Sequence, residues 1–108
     1  MSKINAPVLG VLLALALAAC GGTNVGQPCT TNDDCDNGLT CYTGNRPGGY
    51  CAKGCQTEGT DRDCPGGSIC AMNDGLLLCS AICGDQPDCR AGYQCNGVSA
   101  SNLKVCRP

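Results

Sequence analysis

The sequence contains no histidine, tryptophan or phenylalanine, and tyrosine occurs only three times in 108 residues. Without histidine, a His-dependent enzyme is excluded, and a general base would have to be a carboxylate or an amine. The formal charge of −2 is too small to steer the chain toward nucleic acid or another highly charged partner. We therefore expect a protein that is not an enzyme, binds no nucleic acid and needs no cofactor.

Large aliphatic residues are also scarce. From Gly21 onward, leucine, isoleucine and valine total ten in 88 residues, about half of the roughly 20% below which chains tend toward disorder. A hydrophobic core of normal size cannot form, so cross-links must replace it. The 13 cysteines supply them, at a density typical of short exported disulfide scaffolds.

Residues 1–19 predict a signal peptide. Lys3 supplies a positive charge, and residues 6–19 then run without a charge and end in small residues. Fourteen helical residues span about 21 Å, short of the roughly 30 Å hydrocarbon core of a bilayer. The segment is therefore predicted to be a signal-peptide helix and not a stable transmembrane anchor.

The end of this segment, Leu17-Ala18-Ala19-Cys20, resembles the lipobox of bacterial lipoproteins. The resemblance implies cleavage before Cys20, lipidation of its sulfur (with palmitate-type acyl chains) and attachment to the extracytoplasmic face of a membrane. In such lipoproteins an aspartate after the lipidated cysteine implies retention at the inner membrane. This chain has Gly21 there, which implies transport to the outer membrane if the cell has two membranes. The polar, Gly-rich residues 20–28 predict a flexible tether.

Cysteine parity agrees with this interpretation. An odd cysteine in an exported protein requires an explanation. A lipid on Cys20 leaves an even number, enough for six disulfides: Cys29, Cys35, Cys41, Cys51, Cys55, Cys64, Cys70, Cys79, Cys83, Cys89, Cys95 and Cys106. A zinc site is the alternative, but the chain has no CxxC pair, and its shortest gaps between cysteines are three residues.

The twelve cysteines form three tandem units, at 29–51, 55–79 and 83–106, within one cysteine-rich domain at 29–108. Gaps within the units are 5-5-9, 8-5-8 and 5-5-10 residues. Each unit contains the frame D-C-x-x-G-x-x-C. Its aspartates are Asp34, Asp63 and Asp88, and its glycines are Gly38, Gly67 and Gly92.

The frame predicts a tight turn in every unit. Its glycine suits a positive φ, and its aspartate suits side-chain bonds to nearby backbone N–H groups. Residues 32–38 also resemble a calcium-binding loop. However, aligning Gly38 with the fixed glycine of such a loop puts Cys35 at a ligand position and leaves no terminal glutamate, which favours the turn.

Short hairpins are expected between the third and fourth cysteines of each unit. Asp74-Gly75 between apolar runs is the clearest turn signal, and looser turns are expected at residues 44–49 and 98–102. The predicted fold class is small and disulfide-rich, with three four-cysteine units, short β-hairpins and little hydrophobic core.

The spacing C-x5-C-x-x-G-x-x-C followed by a fourth cysteine is similar to the N-terminal cysteine-rich domain of Dickkopf proteins and to the colipase-like fold. From the residues alone, each unit allows three pairings. The resemblance implies that the first cysteine pairs with the third and the second with the fourth. The implied disulfides are Cys29–Cys41, Cys35–Cys51, Cys55–Cys70, Cys64–Cys79, Cys83–Cys95 and Cys89–Cys106.

A lipid-anchored array of this kind predicts a non-catalytic binding or structural module with a protein or surface-glycan partner. Its one apolar cluster is Leu76-Leu77-Leu78, for which a place in the small core is favoured over a partner-binding edge. A protease inhibitor is the alternative function, because disulfide scaffolds preorganise binding loops. Arg46 and Lys53 are the basic candidates for such a loop.

Overall fold

The computed structural model describes residues 24–108, so the predicted signal peptide, Cys20 and the first tether residues lie outside the described part. Six strands form two antiparallel sheets, one ordered β1-β2 and the other β3-β4-β6-β5. The strands are β1 Thr40–Tyr42, β2 Tyr50–Ala52, β3 Ser68–Asn73, β4 Leu76–Cys83, β5 Gln94–Gly97 and β6 Lys104–Arg107. None of the helices within residues 24–108 is long and apolar enough to cross a membrane.

Six disulfides link the strands and turns of the three units. Within each unit the first cysteine is bonded to the third and the second to the fourth, which is the pairing that the resemblance implied. The bonds are Cys29–Cys41, Cys35–Cys51, Cys55–Cys70, Cys64–Cys79, Cys83–Cys95 and Cys89–Cys106. The chain is therefore a small disulfide-rich fold of short hairpins, as the sequence predicted.

The frame glycines make the same turn three times. Gly38, Gly67 and Gly92 have φ angles of 88°, 84° and 90°, in the left-handed region that side chains disfavour. The backbone N–H of the residue after each glycine donates to the carbonyl oxygen of the residue after the second cysteine. Sequence and structure thus agree on why this position is glycine in all three units.

The β3–β4 hairpin has the predicted Asp74-Gly75 turn. Both residues have positive φ, 47° and 87°, as a two-residue type I′ turn requires. The turn fixes the register, so that Asn73 faces Leu76 and Met72 faces Leu77. This hairpin is the longest in the described chain, and its strands carry most of the second unit's apolar residues.

The middle unit differs from its neighbours in how it satisfies the N–H of its third cysteine. In units one and three, short 3₁₀ helices at Asn32–Asp34 and Gln86–Asp88 begin with an amide side chain. The Asn32 and Gln86 side chains accept from the N–H groups of Cys41 and Cys95. In unit two, the three additional residues in the first gap bring the backbone carbonyl of Thr60 to Cys70 instead.

The core is divided into small clusters between the units. The largest contains Tyr50 and Ala52 from unit one, Leu78 from unit two, and Tyr93 with two cysteines from unit three. A second contains Ile69, Ala71, Val98 and Val105. Because both of these clusters draw on more than one unit, the units pack as one body.

The folded region already includes Asn24, earlier than predicted, so residues 24–28 do not belong to the flexible tether that the sequence predicted for 20–28. Gly26 N–H donates to Cys51 O and Cys51 N–H donates to Gln27 O, so residues 26–27 cover the outer edge of β2. Val25 is only 6% exposed and packs with Leu39. Residues 24–28 are therefore part of the domain, because their backbone pairs with an otherwise open strand edge.

Candidate binding surface

The three leucines singled out by the sequence have different environments in β4. Leu78 is 2% exposed and lies in the largest core cluster, so it is a core residue. Leu77 is half-buried, and Leu76 is 46% exposed beside the hairpin turn. The expectation of a core role holds for Leu78, whereas Leu76 remains at the surface.

Met72, which sequence reasoning missed, belongs to the same surface. It lies directly opposite Leu77 in the hairpin register and is 44% exposed. Counting back two residues from the Asp74-Gly75 turn would have placed it there, because a two-residue turn fixes the pairing. We call residues 72–77 the hairpin tip. It exposes Met72 and Leu76, two of the four large apolar side chains exposed in the described chain.

Arginines from the other two units hold the hairpin tip in place. The Arg46 guanidinium of unit one donates from Nε to Asn73 Oδ1 at 3.0 Å and from a terminal nitrogen to the Asn73 carbonyl. Asn73 Nδ2 donates in turn to Ser80 Oγ at 3.0 Å. From unit three, Arg107 donates to the Met72 carbonyl at 2.6 Å. The tip is therefore a braced surface rather than a free loop.

The burial of Arg46 corrects its assignment as an exposed inhibitor residue. Its side chain is 6% exposed, and its guanidinium lies 5.6 Å from the centre of the Tyr42 ring. A protease cannot reach this side chain without opening the joint between units one and two. Lys53, the other basic candidate, is exposed, but its carbonyl accepts the N–H of Cys79.

The outer sheet edges are closed. Gln86 bridges the edge of β5, where its amide donates to Tyr93 O and accepts from Cys95 N–H. Along β3, Gly59 N–H donates to Cys70 O. Further outward-pointing backbone groups of β1, β2 and β3 meet Asn32, residues 26–27, Thr60 and Arg107. A partner strand therefore finds no long open edge to extend, and recognition is left to side chains.

The frame aspartates of units one and three are used in turns. Asp34 accepts from Thr30 N–H at 2.8 Å and Thr31 N–H at 3.2 Å. Asp88 accepts from the N–H groups of Gly84 and Asp85 at 2.8 and 3.0 Å. These backbone hydrogen bonds lower the pKa of both carboxyl groups below 3.8, chiefly through Thr30 for Asp34 and Asp85 for Asp88. Both carboxylates thus have the predicted turn role.

Comparison with protein-family models, curated proteins and solved structures found no match to this chain.

Sulfur atoms come together at three places in the fold. In each unit, the sulfurs of the first, second and fourth cysteines lie within 4.8 Å of one another. The reason is that the two disulfides of a unit are adjacent. The cysteine ligands of a zinc site are thiolates, whereas every one of these sulfurs is in a disulfide, so the disulfides explain the clusters.

A small cleft lies where the N-terminal segment meets units one and three. Val25, Tyr50, Arg90 and Tyr93 are among its lining residues, and its volume is about 120 Å³. Ligand pockets for small molecules are typically 300–1,000 Å³, so this cleft has room for only a few water molecules. The hairpin tip is therefore the stronger candidate site.

Proposed function

We propose that this chain is an exported lipoprotein, anchored to a membrane through lipid on Cys20, whose repeat domain is a non-catalytic binding module. The main support for the lipid anchor is the set of six disulfides. Six bonds use all twelve cysteines from Cys29 to Cys106, and only Cys20 of the thirteen lies outside them. A lipidated Cys20 leaves no unpaired thiol in an oxidising compartment. With Gly21 next to it, the outer membrane is the proposed location in a cell that has two membranes.

The non-catalytic role is supported by how the chain uses its reactive groups. Four polar side chains form hydrogen bonds to backbone groups, and these bonds hold turns or units together. They are the hydroxyls of Tyr50 and Tyr93, the guanidinium of Arg46 and the carboxylate of Asp34. Exposed apolar side chains at the rigid hairpin tip suit a protein partner, because apolar burial favours association and preorganisation lowers its cost.

Intact-mass spectrometry of the protein extracted from membranes tests the anchor. The expected product begins at Cys20, carries the added mass of acyl chains, and yields twelve alkylatable thiols only after reduction. A Cys20→Ala variant should lack the lipid mass and leave the membrane fraction. A mature form that lacks Cys20, or a Cys20 with a free thiol, would contradict the proposal.

Photo-crosslinking in cells tests the binding role of the hairpin tip. A photoreactive amino acid at Leu76 should give a discrete crosslinked protein, which a Met72→Ser substitution in the same chain should weaken. The same amino acid at the exposed Lys53 is the matched control, and it should not give that product. Equal crosslinking from both positions, or none from Leu76 in a folded protein, would argue against the tip as the binding surface.

A further inference from the structure

The first described residue is fastened to the domain by a reciprocal pair of hydrogen bonds. Asn24 N–H donates to Asp36 Oδ2 at 2.9 Å, and Asp36 N–H donates to Asn24 Oδ1 at 2.9 Å. The Asn24 side-chain amide also donates to Asp34 O at 3.1 Å. The chain thus enters the domain beside the first 3₁₀ helix of unit one.

Close packing keeps the next residues in place. Gly26 has a φ of +87°, and a Cβ at this position would come within 2.9 Å of the Ala81 Cβ. Gly26 therefore fits only as glycine, and its backbone is bonded to β2. With Val25 buried on one side of it, the entry segment is as much a part of the fold as the strand it covers.

Little chain is left to act as a tether. Only residues 21–23 lie between Cys20 and Asn24, so four peptide steps, at most about 14 Å, separate their Cα atoms. The predicted tether, ending at Cys29, would have allowed nine steps and about 32 Å. The structure therefore shortens the greatest reach by more than half.

From these observations we infer that the domain is held directly against the lipid surface by the part of unit one around the first 3₁₀ helix, residues 32–36. This inference rests on the proposed lipidation of Cys20. Electrostatic attraction is not the cause, because Asp33, Asp34 and Asp36 carry charge there, and no lysine or arginine occurs between Asn24 and Arg46. The domain is held at the lipid surface because only three residues connect Asn24 to the lipidated Cys20.

The same geometry limits where the hairpin tip can act. Gly26 lies next to Ala81 near the C-terminal end of β4, and Leu76 lies five residues away along that strand, about 17 Å. Six peptide steps from Cys20 to Gly26 add at most about 22 Å. With about 5 Å more between the neighbouring Gly26 and Ala81 backbones, Leu76 stays within about 45 Å of the lipid-bearing residue, which limits how far from the membrane a partner of the tip can bind.

Energy transfer from a protein-bound dye to acceptor lipids tests the inference. The lipidated protein that begins at Cys20 is placed in phosphatidylcholine vesicles, which removes charge repulsion, with a dye on an azide-bearing amino acid at Asp33 or at Leu76. Cys20 lipidation is checked in each sample by intact mass. We expect the Asp33 dye to lie closer to the bilayer than the Leu76 dye.

Two variants with longer tethers calibrate the distance. A 20-residue Gly-Ser insertion after Gly22 lengthens the tether directly. Gly26→Val should release residues 24–28 from the domain, so that the first fixed point of the chain becomes Cys29 in its disulfide. Flexible chains of 4, 9 and 24 residues have root-mean-square lengths of about 11, 17 and 27 Å. The Asp33 dye should therefore move outward in Gly26→Val and further in the insertion variant. Gly22→Val, a control outside the described residues, should leave it unmoved.

The outcomes separate the two proposals. A lipidated native protein whose Asp33 dye is as far from the bilayer as in the insertion variant would overturn the inference and leave the lipid anchor intact. An Asp33 dye no nearer than the Leu76 dye would overturn the assignment of the contacting end. Absence of lipid on Cys20 would overturn the proposed anchor and, with it, this inference.

Discussion

Tyr50 and Tyr93 stack across the boundary between the first and third units, with ring centroids 5.4 Å apart and an interplanar angle of 27°. Each hydroxyl donates to a carbonyl of the other's unit: Tyr50 to Cys106 at 2.7 Å and Tyr93 to Pro47 at 2.9 Å. The Tyr50 hydroxyl also accepts the N–H of Ala81 at 3.0 Å. Two of the three tyrosines in the chain thus join units that lie far apart in sequence.

Removing the Tyr50 hydroxyl should loosen this joint. In Tyr50→Phe, the carbonyl of Cys106 and the N–H of Ala81 lose a partner in a buried position, a change that typically costs about 1–3 kcal/mol. Denaturant unfolding of the oxidised protein measures the loss. Tyr42→Phe is the matched control, because the Tyr42 hydroxyl makes no hydrogen bond within residues 24–108, and it should change the free energy of unfolding by less than about 0.5 kcal/mol. Equal effects of the two substitutions would refute the assigned role.

Arg46→Ala should destabilise the contact between units one and two. It leaves the Asn73 carboxamide oxygen and carbonyl oxygen without their donor in a fully buried position, and we expect a cost of about 2–4 kcal/mol. Lys53→Ala, which removes an exposed cation, should change the free energy of unfolding by less than about 0.5 kcal/mol. If Arg46→Ala were equally neutral, Arg46 would not be the brace that its contacts indicate.

Protease inhibition through Arg46 is not expected. The buried guanidinium is unavailable to a trypsin-like specificity pocket, so Arg46→Ala should leave any inhibition of such a protease unchanged. Lys53→Ala is the comparison, since Lys53 is the exposed basic residue of the two. Titration of trypsin with the oxidised protein measures inhibition, and its loss in the Arg46 variant alone would show that this side chain is accessible.

Acid should weaken the fold through Asp34 and Asp88. Their pKa values are lower in the folded protein than in the unfolded chain, so their contribution is fully present above the unfolded value near 3.8. It is lost as the pH falls through the lower folded values. Denaturant unfolding between pH 5 and pH 2 should therefore show stability falling below about pH 4. In the double variant Asp34→Asn with Asp88→Asn this fall should be smaller. An undiminished fall in the double variant would contradict the role of these two carboxylates.

Loss of one disulfide should cost more than loss of one hydrogen bond. Replacing both Cys64 and Cys79 by alanine opens a loop with a sequence separation of 15, for which the chain-entropy estimate is about 3 kcal/mol. Full reduction should unfold the domain, because the core clusters are small. Far-ultraviolet circular dichroism and resistance to protease measure both effects. A reduced protein that kept its native spectrum and its resistance would show that the apolar clusters are sufficient.

Local features of this fold were predictable because short stretches of chain determine them. The turns at Gly38, Gly67 and Gly92 follow from a glycine at a fixed distance from two cysteines. Asp74-Gly75 determines both a type I′ turn and the register of its strands. The disulfide pairing required the resemblance as well, since four cysteines in a unit allow three pairings on the residues alone.

The sequence by itself determined the three units, their turns and the need for cross-links, because spacing and composition act within about ten residues. The packing of one unit on another depends on side chains far apart in sequence, so only the tertiary structure decided it. That packing buries Arg46 against Asn73 and separates Leu78 in the core from Leu76 at the surface, and the N-terminal residues 26–27 close the β2 edge. Because side chains alternate along a strand, Leu76 and Leu78 lie on the same face of β4. Only Leu78 is buried, because the neighbouring units cover its end of the hairpin and leave Leu76 exposed.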